Sequence, residues 1–474
     1  MKRLNEIFDT PYDTMIKDIK TNSREVNEGD LFVCIMGFNV DRHDYAKQAI
    51  EAGAKALVVK RLLDVEVPQI LVDDPNKELV NIVTKFYDYP STKMNMIGVT
   101  GTDGKTTTST IIYQLLNQID KCGYIGTNGA ECPGYKEELN NTTPVPEHLH
   151  RIFNNFYEHG CKYVSMETSS NALSQHRCDS IEFDYSIFTN FTHEHLDWHK
   201  TVENYLKAKQ MLFEQTKKDG YCIINIDDPV SKDIAEASNG KVIYYGENEK
   251  ADVGFNNIEF NNNGTNFDVL YKDKTYHINS PLLAKFNVYN LTAALTIFLL
   301  IGYDINKLDL SKINIDGRMY EIKLGQDYRV IIDFAHTPNA TQKILDFANT
   351  IKKGKIISVA GSAGDRDVIK RPIIGKILVD NSDYVIFTYD DPRKDDINQI
   401  IDEMTKDVMD KKDKFERIID RKDAIKKAID IAEKDDIVLI LGRGNETKVP
   451  IGDEIIYMSD IEEAEKAIKE KETK

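Results

Sequence analysis

The stretch Gly98-Val99-Thr100-Gly101-Thr102-Asp103-Gly104-Lys105-Thr106-Thr107-Thr108 constrains this chain more than any other, because it joins a strand to an anion cradle and then to a helix start. The largely apolar lead-in, residues 94–99, reads as a buried strand. Gly101 and Gly104 let the backbone turn its N–H groups toward an anion, with Thr102 and Asp103 between them. Lys105 supplies a point charge for the outer phosphates, and Thr106 or Thr107 sets a hydroxyl beside Mg²⁺. The reading is a nucleoside triphosphate site. Five residues rather than four separate Gly98 from Gly104, so the loop departs from the common GxxxxGK[ST] form and does not imply a generic NTPase. A helix-like segment, 109–118, follows it.

At 474 residues the chain has room for about three domains, each burying its own core. A net charge of −17, with no run of Lys and Arg, argues against a nucleic-acid surface. Lys2 and Arg3 are followed by no apolar signal region, and nowhere do eighteen apolar residues run together, so a cytoplasmic protein without membrane insertion is expected. The six cysteines, at 34, 122, 132, 161, 178 and 222, show no CxxC spacing and read as core thiols.

Three regions follow one another. Residues 1–92 alternate short strands (31–36, 56–59, 70–72) with helical stretches such as 45–52. Residues 93–316 carry the phosphate loop and strands at 163–167, 185–189 and 220–225, which argues for a largely parallel sheet with ligands at its carboxyl edge. Within this region the alternating residues 253–279 read as an antiparallel flap that breaks the rhythm, turning at Asn262-Asn263-Gly264. From 317 to 474, beyond a hinge near Gly317, strands at 329–332, 355–360, 384–388 and 437–441 alternate again with helices. The tail, 461–474, reads as a charged surface helix.

Taken with the phosphate loop, four segments carry a resemblance: Asn141-Thr142-Thr143-Pro144; Met166-Glu167-Thr168-Ser169-Ser170-Asn171-Ala172-Leu173; Phe188-Thr189-Asn190-Phe191-Thr192-His193-Glu194-His195-Leu196-Asp197; and Lys285-Phe286-Asn287-Val288-Tyr289-Asn290. With Asp333-Phe334-Ala335-His336-Thr337-Pro338, Gly364-Asp365-Arg366-Asp367, Asp390-Asp391-Pro392-Arg393 and Gly442-Arg443-Gly444-Asn445-Glu446, the chain resembles the Mur ligases along nearly its whole length. The order and spacing match the branch that adds the third peptide residue to UDP-N-acetylmuramoyl dipeptide. The resemblance implies a three-domain α/β architecture, with a central mononucleotide-binding sheet of the P-loop type and a Rossmann-like C-terminal domain. It implies an ATP- and Mg²⁺-dependent amide ligase of peptidoglycan precursor synthesis, working as a monomer through an acyl phosphate.

By that resemblance Glu167 and His195, with Thr106 and a carbamylated Lys209, hold magnesium, and Lys105 meets the phosphates. A carbamate turns the Lys209 cation into an oxygen anion suited to a hard cation. Read alone, His193, His195 and His199 are equally surface histidines or a zinc cluster, and Lys209 a solvated helix residue. Asn287 and Asn290 face the adenine edge or cap a helix, Arg318 contacts the nucleotide, and Asp333 and His336 lie near it, with Phe334 in place of the usual tyrosine. In the first region Ser23 is the uridine contact, with Asn22 and Arg42 replacing the more usual aspartate and glycine. Thr142, Thr143, Ser169, Gln175 and Arg177 hold the muramoyl dipeptide.

The amino-acid pocket is implied at Arg366, Asp390, Asp391, Pro392, Arg393, Gly442 and Glu446. Arginines at 366 and 393 match those that grip carboxylates in the diaminopimelate-adding branch, which places meso-diaminopimelate first, L-lysine second and another acceptor third. Read alone, Arg393 is a surface ion pair with Asp395 or Asp396. Asp391 stands where the motif carries asparagine, and Arg443 and Asn445 stand for lysine and histidine. Asn171 for histidine and Glu194 for aspartate are further departures. Folylpolyglutamate and cyanophycin synthetases share related central and C-terminal domains but not the first region; an ATP-binding scaffold without turnover is the non-enzymatic alternative.

Overall fold

The computed structural model describes residues 1–37, 40–192, 194–261 and 264–473. Among the described residues three main sheets follow one another along the chain, beside two small two-stranded ones. The first has four parallel strands in the order Ile19–Lys20, Leu31–Val33, Ala56–Val59 and Gln69–Leu71. Alternation along the two middle strands sends Leu31, Val33, Ala56 and Val58 beneath the helix Pro75–Phe86. Phe32, Leu57 and Val59 pack instead under Ala46–Glu51, so both faces are covered.

The second sheet has eleven strands. Its core is parallel, in the order Cys122–Gly126, Tyr163–Glu167, Asn95–Thr100, Phe183–Phe188, Thr216–Asn225 and Lys241–Gly246. After Asn95–Thr100 the chain builds outward on one side, through Cys122–Gly126, and fills in Tyr163–Glu167. It then crosses to Phe183–Phe188 on the other side. The carboxyl end of Asn95–Thr100 is thus a topological switch point, the crevice where open α/β sheets bind ligands. The region 253–279 is antiparallel, as its alternation implied, but it belongs to this sheet rather than forming a separate flap. Val253–Asn261, Gly264–Tyr271 and Lys274–Ser280 form an antiparallel meander that extends the same sheet from Lys241–Gly246. Alternation buries Phe255, Phe267, Val269, Tyr276 and Ile278 in the core that also takes in the largely apolar helix Lys285–Leu300. Asn262 and Asn263, the expected turn, lie outside the described residues.

The third sheet has six strands in the order Tyr320–Ile322, Arg329–Asp333, Ile437–Leu441, Ile356–Ala360, Tyr384–Phe387 and Phe415–Arg417; all but the first run parallel. Helices cover both faces. The tail helix, Asp460–Glu472, is more than a surface element: Ala464, Ala467 and Ile468 are buried, and Asp460 takes a two-pronged pair from the equally buried Arg421 at 2.8 and 2.7 Å. Gly317, at the expected hinge, has φ +69°, and a Cβ there would run into the backbone of Gly444 and Asn445.

The carboxyl edges of the second and third sheets face each other across a cleft. It is bridged by Arg318 Nη2 to Thr106 Oγ1 at 3.4 Å, Asn339 Nδ2 to Asp103 Oδ2 at 3.0 Å and Lys370 Nζ to Glu194 Oε1 at 3.6 Å. The first sheet meets the second through Thr21 Oγ1, which donates to Glu147 Oε1 at 2.5 Å.

Candidate active site

The phosphate loop follows the strand Asn95–Thr100 and enters the helix Lys105–Leu116 at Gly104. Gly104 has φ +84°, and a Cβ on it would lie 2.5 Å from Asn290 Oδ1. Both the backbone sign and the close approach therefore require glycine. Gly104→Ala is expected to lower Mg-nucleotide affinity at least about tenfold, since a left-handed alanine costs about 1–2 kcal/mol before any clash. Isothermal titration with ADP checks this, and unchanged affinity would remove the loop from the binding site.

Asn190 braces the loop. Its Oδ1 accepts the Asp103 N–H at 2.9 Å and its Nδ2 donates to the Asp103 carbonyl at 3.0 Å. Lys105 Nζ folds back to donate to the carbonyls of Gly101 and Thr102 at 2.9 and 2.7 Å. Burial lowers its pKa, against the raising influence of Glu167 and Asp103.

Glu167 ends the neighbouring strand Tyr163–Glu167 and is fully buried. One oxygen accepts from the Tyr124 hydroxyl and the Thr127 N–H, each at 2.8 Å; the other accepts from Thr106 Oγ1 at 2.8 Å. Between the two threonines open from sequence, Thr106 is the one whose hydroxyl meets the carboxylate. Lys209, on the helix Val202–Glu214, is also buried, and its Nζ donates to the same Gly101 carbonyl at 2.7 Å while lying 4.3 Å above the Tyr205 ring. Burial, and then the Lys105 charge, hold its pKa well below the ordinary lysine value. His195 is exposed at the N-terminus of the short helix Leu196–His199, with φ +56° and its ring 6.0 Å from that of Tyr205. His199 is buried instead, on Ser170 Oγ at 3.0 Å, and His193 lies outside the described residues.

Among the described residues no three His, Cys, Asp or Glu side chains converge as a metal centre. The donor set around Glu167 and Thr106 fits Mg²⁺, which binds through one or two carboxylates plus substrate phosphates rather than a protein cage.

Asn287 and Asn290 are buried and bonded to each other at 3.0 Å. Asn287 donates to the Leu283 carbonyl at 2.8 Å, and Asn290 accepts from Thr108 at 3.3 Å, so the pair packs the helix Lys285–Leu300 against the phosphate-loop helix. Arg318 lies 4.1 Å above the Phe334 ring. The phenylalanine lacks a hydroxyl, yet its ring supports the arginine that reaches Thr106. Asp333 accepts the Met319 and Ala335 N–H groups, each at 2.7 Å, and burial raises its pKa to about 6. Burial lowers His336 to about 3 and keeps the ring neutral.

Among the residues expected to hold the substrate, Ser23 is buried against Gln48 at 3.0 Å. Thr143 Oγ1 donates to the Glu167 carbonyl at 2.8 Å and lies 3.2 Å from Ser169 Oγ. Arg177 donates to the Thr143 carbonyl and to Gln175 Oε1, each at 2.8 Å. Thr142 reaches Thr127 at 3.2 Å. Thr142, Thr143, Ser169, Gln175 and Arg177 are thus linked to one another and, through Thr127 and the Glu167 carbonyl, to Glu167, while the contact shown for Ser23 lies within the first region.

In the third sheet's loops Arg366 is exposed, while Arg393 has φ +51° and a buried Nε with no partner. The ion pair considered for Arg393 is not made: Asp395 pairs with the buried Arg371 at 2.6 Å, and Asp396 caps the helix Ile397–Thr405. Pro392 is buried beside Arg393, and a Cβ on Gly442 would lie 2.5 Å from Asp390 Oδ2, which brings the two motif loops together. Burial pushes Asp390 up, and burial together with Asp391 and Asp390 raises Glu446 to about 7. A carboxyl raised in the folded state favours folding below its unfolded pKa and loses that advantage as pH rises through the folded one. Glu446→Gln is therefore expected to stabilise the protein by on the order of 1–2 kcal/mol at pH 8 and not at pH 4. Thermal unfolding at the two pH values checks this; equal shifts at both would contradict it.

Sequence reading missed Thr127, Asn339, Lys370 and the structural role of Arg443. Thr127 sits just beyond the strand Cys122–Gly126, beside the end of Tyr163–Glu167, where strand-end position gave a signal. The others gave none.

The Mur ligase middle domain matches residues 99–298, the Mur ligase glutamate ligase domain residues 317–444 and the Mur ligase catalytic domain residues 15–95. The chain is 38% identical over 465 residues to the UDP-N-acetylmuramoyl-L-alanyl-D-glutamate–2,6-diaminopimelate ligase of Bacillus cereus, covering 96% of this chain and 94% of that one. It is 39% identical over 434 residues to the ligase of the same name from Aquifex aeolicus, covering 91% and 89%. A solved structure of a ligase so named aligns over 100% of both chains with a TM-score of 0.70 at 27% identity. MurF ligase from Thermotoga maritima in complex with ADP aligns over 97% and 98%, also at 0.70; at 19% identity it speaks for the fold alone. The matches run along nearly the whole chain, through the sheet that bears the phosphate loop and the third sheet that faces it, and the chain belongs to the Mur ligase family.

Proposed function

We propose that this chain is the ATP-dependent ligase that joins meso-diaminopimelate to UDP-N-acetylmuramoyl-L-alanyl-D-glutamate in the cytoplasm, as a monomer. The observation that carries the reading is the buried Thr106–Glu167 pair beneath a phosphate loop that Arg318 and Asn339 close from the third sheet. The acceptor assignment rests on the relatives' names and on Arg393, whose unpartnered Nε suits a carboxylate. Residues 1–92 hold the uridine diphosphate end through Ser23, residues 93–316 the phosphates and the dipeptide, and residues 317–474 the amino acid.

The substrate carboxylate attacks the γ-phosphorus of ATP and the bond to ADP breaks. The amine then attacks the acyl phosphate, and inorganic phosphate leaves. Charge gathers on phosphate oxygens in both steps, so catalysis is electrostatic and positional, without a protein nucleophile. Lys105 and Arg318 supply cations at those oxygens, and Thr143, Ser169 and Arg177 orient the dipeptide. Thr106, Glu167, His195 and Lys209, the last as its carbamate, are the residues that would hold Mg²⁺, which neutralises phosphate charge as a Lewis acid. No helix among the described residues is long and apolar enough to cross a membrane.

The test is phosphate release by the purified protein with ATP, Mg²⁺ and the UDP-muramoyl dipeptide, adding meso-diaminopimelate, L-lysine or L-ornithine separately and weighing the product. Turnover with diaminopimelate alone is expected. Turnover with lysine would keep the ligase and overturn the acceptor, and silence with all three would overturn the reading.

A further inference from the structure

Asp391 and Arg443, two of the positions at which the third sheet's loops depart from the family motif, touch each other. Arg443 is fully buried in the loop after the strand Ile437–Leu441. Its Nη1 donates to the Asp391 carboxylate, in the loop after Tyr384–Phe387, and to the Asp390 carbonyl at 3.4 Å. Its Nη2 donates to the carbonyls of Glu446 and Lys448, each at 3.2 Å. One guanidinium therefore spans both loops of the amino-acid pocket, a reach that the single nitrogen of a lysine does not have.

Charge makes the two positions interdependent. A buried cation stripped of its counter-ion is strongly destabilising, and Asp391 is the carboxylate in direct contact; Asp390 Oδ1 stands farther off, at 4.0 Å. Conversely, Asp391 lies close enough to Asp390 and Glu446 for all three acids to repel one another, and Arg443 is what holds it there. The Asp391 side chain keeps 17% of its surface exposed while Arg443 has none, so the anion is open to solvent and the cation stays behind it.

We infer that the two departures are a single exchange, in which Arg443 is a positioning residue that fixes the Asp391 carboxylate on the pocket wall, where it meets an ammonium group of the incoming amino acid. This rests on the ligase reading above. An asparagine at 391 offers that ammonium a carbonyl dipole; the aspartate offers a full charge, and only with an arginine behind it is the charge held in place.

The experiment compares the full-length protein with Asp391→Asn, Arg443→Lys and the double variant, varying the amino acid and ATP separately. Asp391→Asn strands the guanidinium. Arg443→Lys collapses the fork to one point. In the double variant the lysine can settle on the nearby Asp390. Each single variant is expected to raise the KM for the amino acid about tenfold or more, with the KM for ATP moving less than about twofold. The double variant is expected to raise it by clearly less than the product of the two. Effects that multiply, or a parallel rise in both KM values, would overturn the inference. If the unmodified protein turns over with no diamino acid, the ligase reading fails first, and the melting temperatures of the same four proteins decide the pairing: losses that simply add in the double variant would overturn it.

Discussion

Glu167→Gln is expected to lower the rate of phosphate release at least about 10³-fold, roughly 4 kcal/mol of transition-state stabilisation, while the protein still folds. The carboxylate is fully buried at a strand end, with three donors on its two oxygens at 2.8 Å. Glutamine fills the same volume and keeps one acceptor, so the sheet is undisturbed apart from one donor facing another donor, worth about 1–3 kcal/mol. The anion beside Thr106 is lost. That charge is what a divalent cation and the phosphates it serves require, and a neutral amide oxygen does not replace it. The Mg²⁺ concentration for half-maximal activity should rise in the same variant, a change that a merely misfolded protein would not show. Phosphate release across a Mg²⁺ series, with thermal unfolding as the control for folding, measures both. Activity within tenfold of the unmodified protein at ordinary Mg²⁺ would remove Glu167 from the metal site.

The same residue shows why some of the site was legible in sequence. Gly104 and Lys105 are fixed by local demands, a positive φ and a helix N-terminus, and local demands leave local patterns. Glu167 ends an apolar strand next to the loop-bearing strand, so the sheet register carries it to the phosphate loop once the strands are recognised. What periodicity cannot specify is the edge a strand joins. The meander from 253 to 280 therefore read as a flap, although its buried face requires the sheet and the helix Lys285–Leu300. The contacts across the cleft are harder still. Asn339 and Asp103 stand 236 positions apart, and neither segment carries a mark of the other. Arg443 and Asp391 each looked like a loss of motif until the fold placed them together. Thr106 and Thr107 are alike in sequence, and only the facing of the helix distinguishes them.

Lys209→Arg is expected to abolish turnover to a similar degree, for a reason specific to the amine. A lysine this deeply buried carries its charge at high cost, and Lys105, bonded to the same Gly101 carbonyl, adds repulsion. Both effects favour the free amine, the form that attacks CO₂. Carbamylation there would form an N–C bond, release a proton and turn a residue that repels the phosphate-loop lysine into an anion beside it. The sign of the local field would reverse, which suits a site that holds a divalent cation. Arginine keeps the length and the positive charge but stays protonated and forms no carbamate. The unmodified protein is therefore expected to lose activity in buffer stripped of CO₂ and to regain it on adding bicarbonate. With ¹³C-labelled bicarbonate it should show a carbamate resonance that Lys209→Arg lacks. Full activity without CO₂ and no such resonance would leave Lys209 as an uncharged amine bracing the loop through Gly101, and the metal site would then rest on Glu167, Thr106 and His195 alone.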